Sequence, residues 1–142
     1  MECVLIDTAR ALREHYWLLD EACERLTQRE GRLHFAPDVY GALMRGEAQM
    51  ILVVDREPVG MMVIYPSETP AKEPALHVWL AYARPGAPPE VVAAGLRECE
   101  LRAAEQGKTH LKFATQRRGW FRAAAKLGYE LAEMTYTKKV TL

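Results

Sequence analysis

The sequence predicts a single α/β domain, and three observations carry that expectation. Apolar residues recur at three- and four-residue spacing over residues 16–26, as on one buried helix face. A β-branched hairpin reads across residues 49–65, and a second helical period over residues 90–106 lies between strand-like runs. The chain has 142 residues, enough for one self-sufficient core, and no repeat, low-complexity tract or linker divides it. The expected domain is therefore 1–142.

In chain order, Cys3-Val4-Leu5-Ile6 is a short apolar run, read as an edge strand. Tyr16, Leu19, Ala22, Cys23 and Leu26 define a helix that Gly31 stops, because glycine accepts the left-handed backbone of a helix C-cap. Asp38 opens a short helix over residues 39–45, closed by Gly46. Residues 49–55 and 59–65 are strands joined by the turn Asp55-Arg56-Glu57-Pro58. A proline-bearing loop leads to a strand over residues 75–82, with Leu76, Val78 and Leu80 expected on one face and His77, Trp79 and Ala81 on the other. Val92, Leu96, Cys99 and Ala103 line the next helix, which ends at Gly107. A strand over 110–114, a helix over 119–127 and an alternating terminal strand over 135–140 complete the reading.

Composition narrows the function classes. Nineteen basic and nineteen acidic side chains give zero formal net charge, so no global pull toward nucleic acid or anionic lipid is expected, and self-association is eased. Gln116-Arg117-Arg118-Gly119-Trp120 mixes basic and aromatic residues, but two arginines are too few to argue for a nucleic-acid surface. No apolar run approaches a membrane span, and the N-terminus lacks a basic-then-apolar secretion pattern. Cys3, Cys23 and Cys99 have no metal-type spacing, and they read as small hydrophobes in a reducing, cytoplasmic setting.

Three phrases carry a family resemblance: Asp55-Arg56-Glu57-Pro58-Val59-Gly60, the strand from Leu76 with its glycine-containing loop and long helix, and Ala125-Lys126-Leu127-Gly128-Tyr129-Glu130. In that order the chain resembles the GNAT (Gcn5-related N-acetyltransferase) superfamily from about Leu33 onward. The resemblance implies a mixed, mainly antiparallel central sheet flanked by helices on both faces, and acetyl-CoA as cofactor if the protein is active. It also implies a pyrophosphate loop of the form Arg/Gln-x-x-Gly-x-Gly/Ala at the start of the long helix, where unpaired amides favour an anion.

Here that loop reads Arg84-Pro85-Gly86-Ala87-Pro88-Pro89-Glu90. Arg84 fills the first position, with Arg118 as a further cation, but Ala87 and Pro89 replace the expected small residues. Three prolines remove amide donors, and Glu90 adds a carboxylate where a phosphate is expected. The cofactor-binding candidates are Tyr82, Ala83, Arg84, Gly86 and Ala87, with strand amides near Tyr82 and Ala83 holding the pantetheine arm.

The family's tyrosine acid, four residues before the glycine of the last helix, corresponds to Ala124 here, and its asparagine to Arg117. Tyr129 is expected to be a core aromatic with its hydroxyl near the surface. His77 is the candidate general base and Glu73 a more distant one. A strand histidine is otherwise a satisfied, partly buried ring, and Trp79 is expected to pack under a helix.

Two functional readings follow. One is a GNAT-like scaffold with an eroded acetyl-CoA site that works through a protein partner or as a homo-oligomer. On this reading the C-terminal phrase ending Tyr136-Thr137-Lys138-Lys139-Val140 is similar to small GNAT-like proteins of tailed bacteriophages, which implies a virion location. The other is an acetyl-CoA-dependent N-acetyltransferase in which the acceptor amine attacks the thioester directly, assisted by His77 or water. Splayed strands would keep the second open, and Trp79 or Trp120 filling the cleft would favour the first.

Overall fold

A computed structural model describes residues 1–141. In chain order it has β1 (Glu2–Ile6), α1 (Ala9–Glu14), α2 (Tyr16–Glu30), α3 (Ala36–Met44), β2 (Gln49–Asp55), β3 (Glu57–Glu68), β4 (Pro74–Ala83), α4 (Val91–Glu105), β5 (His110–Lys112) and α5 (Trp120–Lys126). The strands form one sheet in the order β1-β2-β3-β4-β5. The first four pair antiparallel. β5 joins β4 in parallel, as it must when a helical crossover carries the chain back between them.

The sheet separates two apolar layers. On one face Met50, Leu52, Met61, Val63, Leu80 and Tyr82 meet Leu12 of α1, Leu18, Leu19, Ala22 and Cys23 of α2, and Val39 and Leu43 of α3. On the other, Ile51, Met62, Ile64, Leu76 and Val78 meet Leu96, Cys99 and Ala103 of α4. Cys23 and Cys99 are buried among these groups and Cys3 is half-buried, as small hydrophobes are.

Several elements differ from the sequence expectation for identifiable reasons. α1 has no expected counterpart; Thr8 starts it by accepting a hydrogen bond from the Ala11 amide at 3.1 Å. α3 begins three residues early because Pro37 suits the first helical turn. In β4 the alternation breaks: Val63 pairs with Leu80 and Ile64 with Val78, so Trp79 is an extra residue. That bulge puts Leu76 and Val78 on the α4 side but Leu80 and Tyr82 on the α2 side, which corrects the expected single face for Leu76, Val78 and Leu80.

The terminal strand expected over residues 135–140 is also corrected. Residues 127–141 carry no helix or strand, and all of 130–141 are exposed. Alternation makes a segment suited to a sheet, but a strand exists only where an edge accepts its hydrogen bonds. No helix among the described residues is long and apolar enough to cross a membrane.

Candidate functional site

The site follows from how β4 and β5 part. Their ladder has only the pairs Ala75–His110, Leu76–Leu111 and His77–Lys112. The bulge at Trp79 comes immediately afterwards, and the strands diverge around a cavity of about 110 Å³. Ala81 and Ala83 supply one wall, Phe113 and Thr115 another, and Trp79 and Trp120 narrow the space between them. Trp79 stands edge-on to Tyr65 at 5.6 Å between ring centroids, and Trp120 edge-on to Phe113 at 5.2 Å. Trp79 therefore packs under the α2 layer and lines the cleft at the same time. Arg29, Arg32 and Arg117 bring positive charge to the same walls; Arg118 does not line them.

The loop from β4 into α4 is ordered by its own backbone. The Arg84 amide donates to the Val59 carbonyl at 2.9 Å, and the Ala87 amide to the Arg84 carbonyl at 3.0 Å. Pro85 and Gly86, the latter at φ +80°, occupy the central positions of that turn, where proline and a left-handed glycine belong. Val91 closes a second turn on the Pro88 carbonyl at 3.2 Å. Two of the loop's amides are thus engaged internally, and Pro85, Pro88 and Pro89 have none to offer. Glu90 is the exposed N-cap of α4 and makes no side-chain capping bond.

Arg84, the expected phosphate contact, is held elsewhere. Its Nε and Nη2 donate to the two carboxylate oxygens of Glu21 at 3.0 and 3.2 Å, and its guanidinium lies 4.9 Å over the Trp17 ring. The Tyr82 hydroxyl donates to the same Glu21 at 2.7 Å. Arg84 holds the Glu21 carboxyl below its usual range, against the opposing effect of burial, with Tyr82 adding to the depression. Burial first, and then the hydrogen bond to Glu21, push the Tyr82 phenol up to about 12. Sequence reading missed Trp17 and Glu21, although their i, i+4 spacing on α2 places both on one face.

The remaining candidates are dispersed. The Tyr82 side chain points into the α2 layer, while Ala83 lines the cleft. Gly86 and Ala87 lie in the turn just described. His77 sits below the divergence, paired on both sides, and is not among the cleft-lining residues. Its ring packs 4.9 Å from Tyr65, and its buried Nδ1 has no hydrogen-bond partner. Burial lowers its pKa to about 4, with Lys112 and Arg32 pushing the same way. Glu73 lies at the exposed β3–β4 connection, bonded to Thr69 and 3.9 Å from His110. Ala124, at the position of the family's acid, only accepts backbone bonds that close α5. Tyr129 packs on Phe113 and donates its hydroxyl to Glu100 at 2.7 Å.

This sheet, with an antiparallel body, a bulged β4 and a parallel β5 that splays from it, is the GNAT acetyltransferase fold. No family model and no curated protein matches the chain. Solved structures do, along nearly the whole length. A ribosomal-protein-alanine N-acetyltransferase from Brucella melitensis biovar Abortus 2308 superposes with a TM-score of 0.72 at 16% identity, over 99% of this chain and 100% of that one. A GCN5-related N-acetyltransferase from Ralstonia eutropha JMP134 gives 0.74 at 15% identity, over 96% and 97%. A predicted acetyltransferase from Clostridium acetobutylicum, solved with acetyl-CoA, gives 0.72 at 10% identity, over 97% and 95%. At such identities the likeness establishes the fold alone. The bacteriophage and virion readings find no support in these comparisons.

Proposed function

We propose that this chain is a GNAT-fold protein that no longer uses acetyl-CoA and works through contacts with protein. The observation that carries this reading is the bidentate grip of Glu21 on Arg84. The one cation at the start of the expected phosphate loop is neutralised from within. The loop's prolines and internal turn leave few amides in its place. The residues present therefore do not fit a pyrophosphate at this helix entry. The cleft is small as well: about 110 Å³, where ligand pockets usually span roughly 300–1,000 Å³.

A second reading rests on the divergence of β4 from β5, which leaves a gap beside Ala81 and Ala83 along which an extended arm would have to lie. On that reading the chain is an N-acetyltransferase without a side-chain acid. Isothermal titration of the purified protein with acetyl-CoA at low salt separates the two. No heat of binding at millimolar ligand is the expected result. Micromolar binding, weakened by Arg84→Ala and accompanied by thiol release with some amine acceptor, overturns the proposal in favour of the enzyme.

A further inference from the structure

Zero net charge conceals an uneven distribution. Residues 108–142 hold eight of the nineteen basic side chains and two of the nineteen acidic ones, and residues 1–107 hold the remaining eleven and seventeen. The basic last quarter of the chain includes β5 and α5, which pack on the α4 side of the sheet through Leu111, Phe113 and Trp120.

α5 divides its residues by face. Trp120 and Ala124, four apart, are its half-buried side. The outward side carries Phe121, Arg122, Ala125 and Lys126, all exposed, with Phe121 at 68%. Arg118 joins them from the turn before the helix, where its carbonyl accepts the Phe121 amide at 3.0 Å. Arg118, Arg122 and Lys126 follow one another at four-residue steps, which on a helix bring β-carbons about 5–6 Å apart. No salt bridge among the described residues involves any of the three. Of the two acids in this quarter, Glu133 lies beside Lys72 and Lys112 at the β3–β4 connection. Like charges at this spacing destabilise a helix until an anion covers them.

We propose that this face of α5 binds single-stranded nucleic acid, with phosphates on Arg118, Arg122 and Lys126 and a base stacked on Phe121. A guanidinium matches phosphate oxygens in pairs, and an exposed aromatic beside it serves any base, since every base has a flat face. An anionic membrane fits less well, because one phenylalanine and one alanine are too little apolar surface to anchor so short a helix. An acidic peptide would pair with the cations and leave Phe121 in water. None of these four side chains lines the cleft, so the inference stands whether or not acetyl-CoA binds.

The test is fluorescence anisotropy of labelled oligo(U) and oligo(dT) of about twenty bases, longer than one such site, titrated with the full chain. Micromolar binding of either probe at low salt is expected. It should weaken as salt rises with a log–log slope of about −2, the value for three phosphates of a single strand. Arg118→Gln combined with Arg122→Gln should weaken binding at least tenfold and bring the slope to about −0.7. Phe121→Ala should weaken it at least fivefold with the slope unchanged, as loss of stacking does. Arg10→Gln combined with Arg13→Gln, on α1 at the opposite face of the sheet, should change nothing. All these positions are exposed, so the far-UV spectra of the variants should match the wild type. No binding at about 100 µM chain, the weak end of non-specific association, overturns the proposal. So do arginine variants with an unchanged slope, or a Phe121→Ala variant that binds like the wild type. Tighter binding of a duplex, or of phosphatidylserine vesicles, overturns it as well. Displacement of the oligonucleotide by excess coenzyme A also does, because the face then belongs to a single nucleotide.

Discussion

Replacing Gly60 by alanine tests whether the entry of α4 is seated where the fold places it. Gly60 lies in β3 opposite Ala83, under the first turn of α4. A β-carbon added there would lie 2.5 Å from the Tyr82 carbonyl oxygen and 2.5 Å from Val91 Cγ1. Neither neighbour can yield easily: one is sheet backbone, and the other is a fully buried side chain on a helix. Relief requires both lifting the start of α4 off β3 and shifting β3 against the Tyr82 carbonyl of β4, an overpacking cost of about 2–3 kcal/mol.

With an unfolding entropy of about 2.1 cal/mol/K per residue, a 142-residue chain should lose roughly 7–10 °C in Tm. Gly95→Ala is the matched control. There the three nearest atoms, at 2.1–3.1 Å, all belong to Met62, which is buried like Val91 but unbranched and able to change rotamer, and the change adds about 1 kcal/mol of helix propensity. Its loss should be less than half that of Gly60→Ala. Calorimetric melting of both variants decides the matter. A Gly60→Ala shift under about 2 °C, or a larger loss for Gly95→Ala, would refute this account of how α4 is seated.

Three further outcomes are expected. His77 is neutral in the fold, with its pKa lowered to about 4 beside Lys112, Arg32 and Tyr65. The unfolded chain therefore binds this proton first, and stability falls as pH drops from about 6.5 toward 4, by at most roughly 3 kcal/mol. Denaturant titrations should show this pH dependence in the wild type and not in His77→Gln. Glu21→Gln should return the Tyr82 phenol from about 12 toward its ordinary range, read by ultraviolet titration of tyrosinate. Because the Glu21 carboxyl is held low, its stabilising effect should be present at neutral pH and disappear as acid protonates it. Burial pushes the Cys23 thiol up to about 11 and the Cys99 thiol up to about 12. A thiol reagent should accordingly label at most Cys3 in the native protein and all three in denaturant.

Much of the fold was legible in the chain because its signals are local. Gly31, at φ +66°, ends α2 where the apolar period stops. The hairpin over residues 49–65 is read from β-branched alternation, and the small residue at Gly60 marks the point where β3 passes beneath α4. The missing amide donors at Pro85, Pro88 and Pro89 were equally local, since a proline lacks its N–H wherever it lies.

Other features belong to the tertiary structure, because they depend on partners far apart in sequence. The bulge at Trp79 arises from pairing with β3, and it reassigned the faces of Leu80 and Tyr82. Arg84 was a free cation in the sequence, and only packing of α2 against β4 revealed Glu21, 63 residues away, as its partner. His77 was a candidate base until the sheet enclosed it below the cleft. The alternation over residues 135–140 specified a strand, but whether a strand forms is decided by the edge that receives it. The sequence by itself determined the elements and the absent donors. Tertiary structure decided which charges meet, which faces are buried and which edge stays open, since hydrogen bonds and burial are properties of pairs.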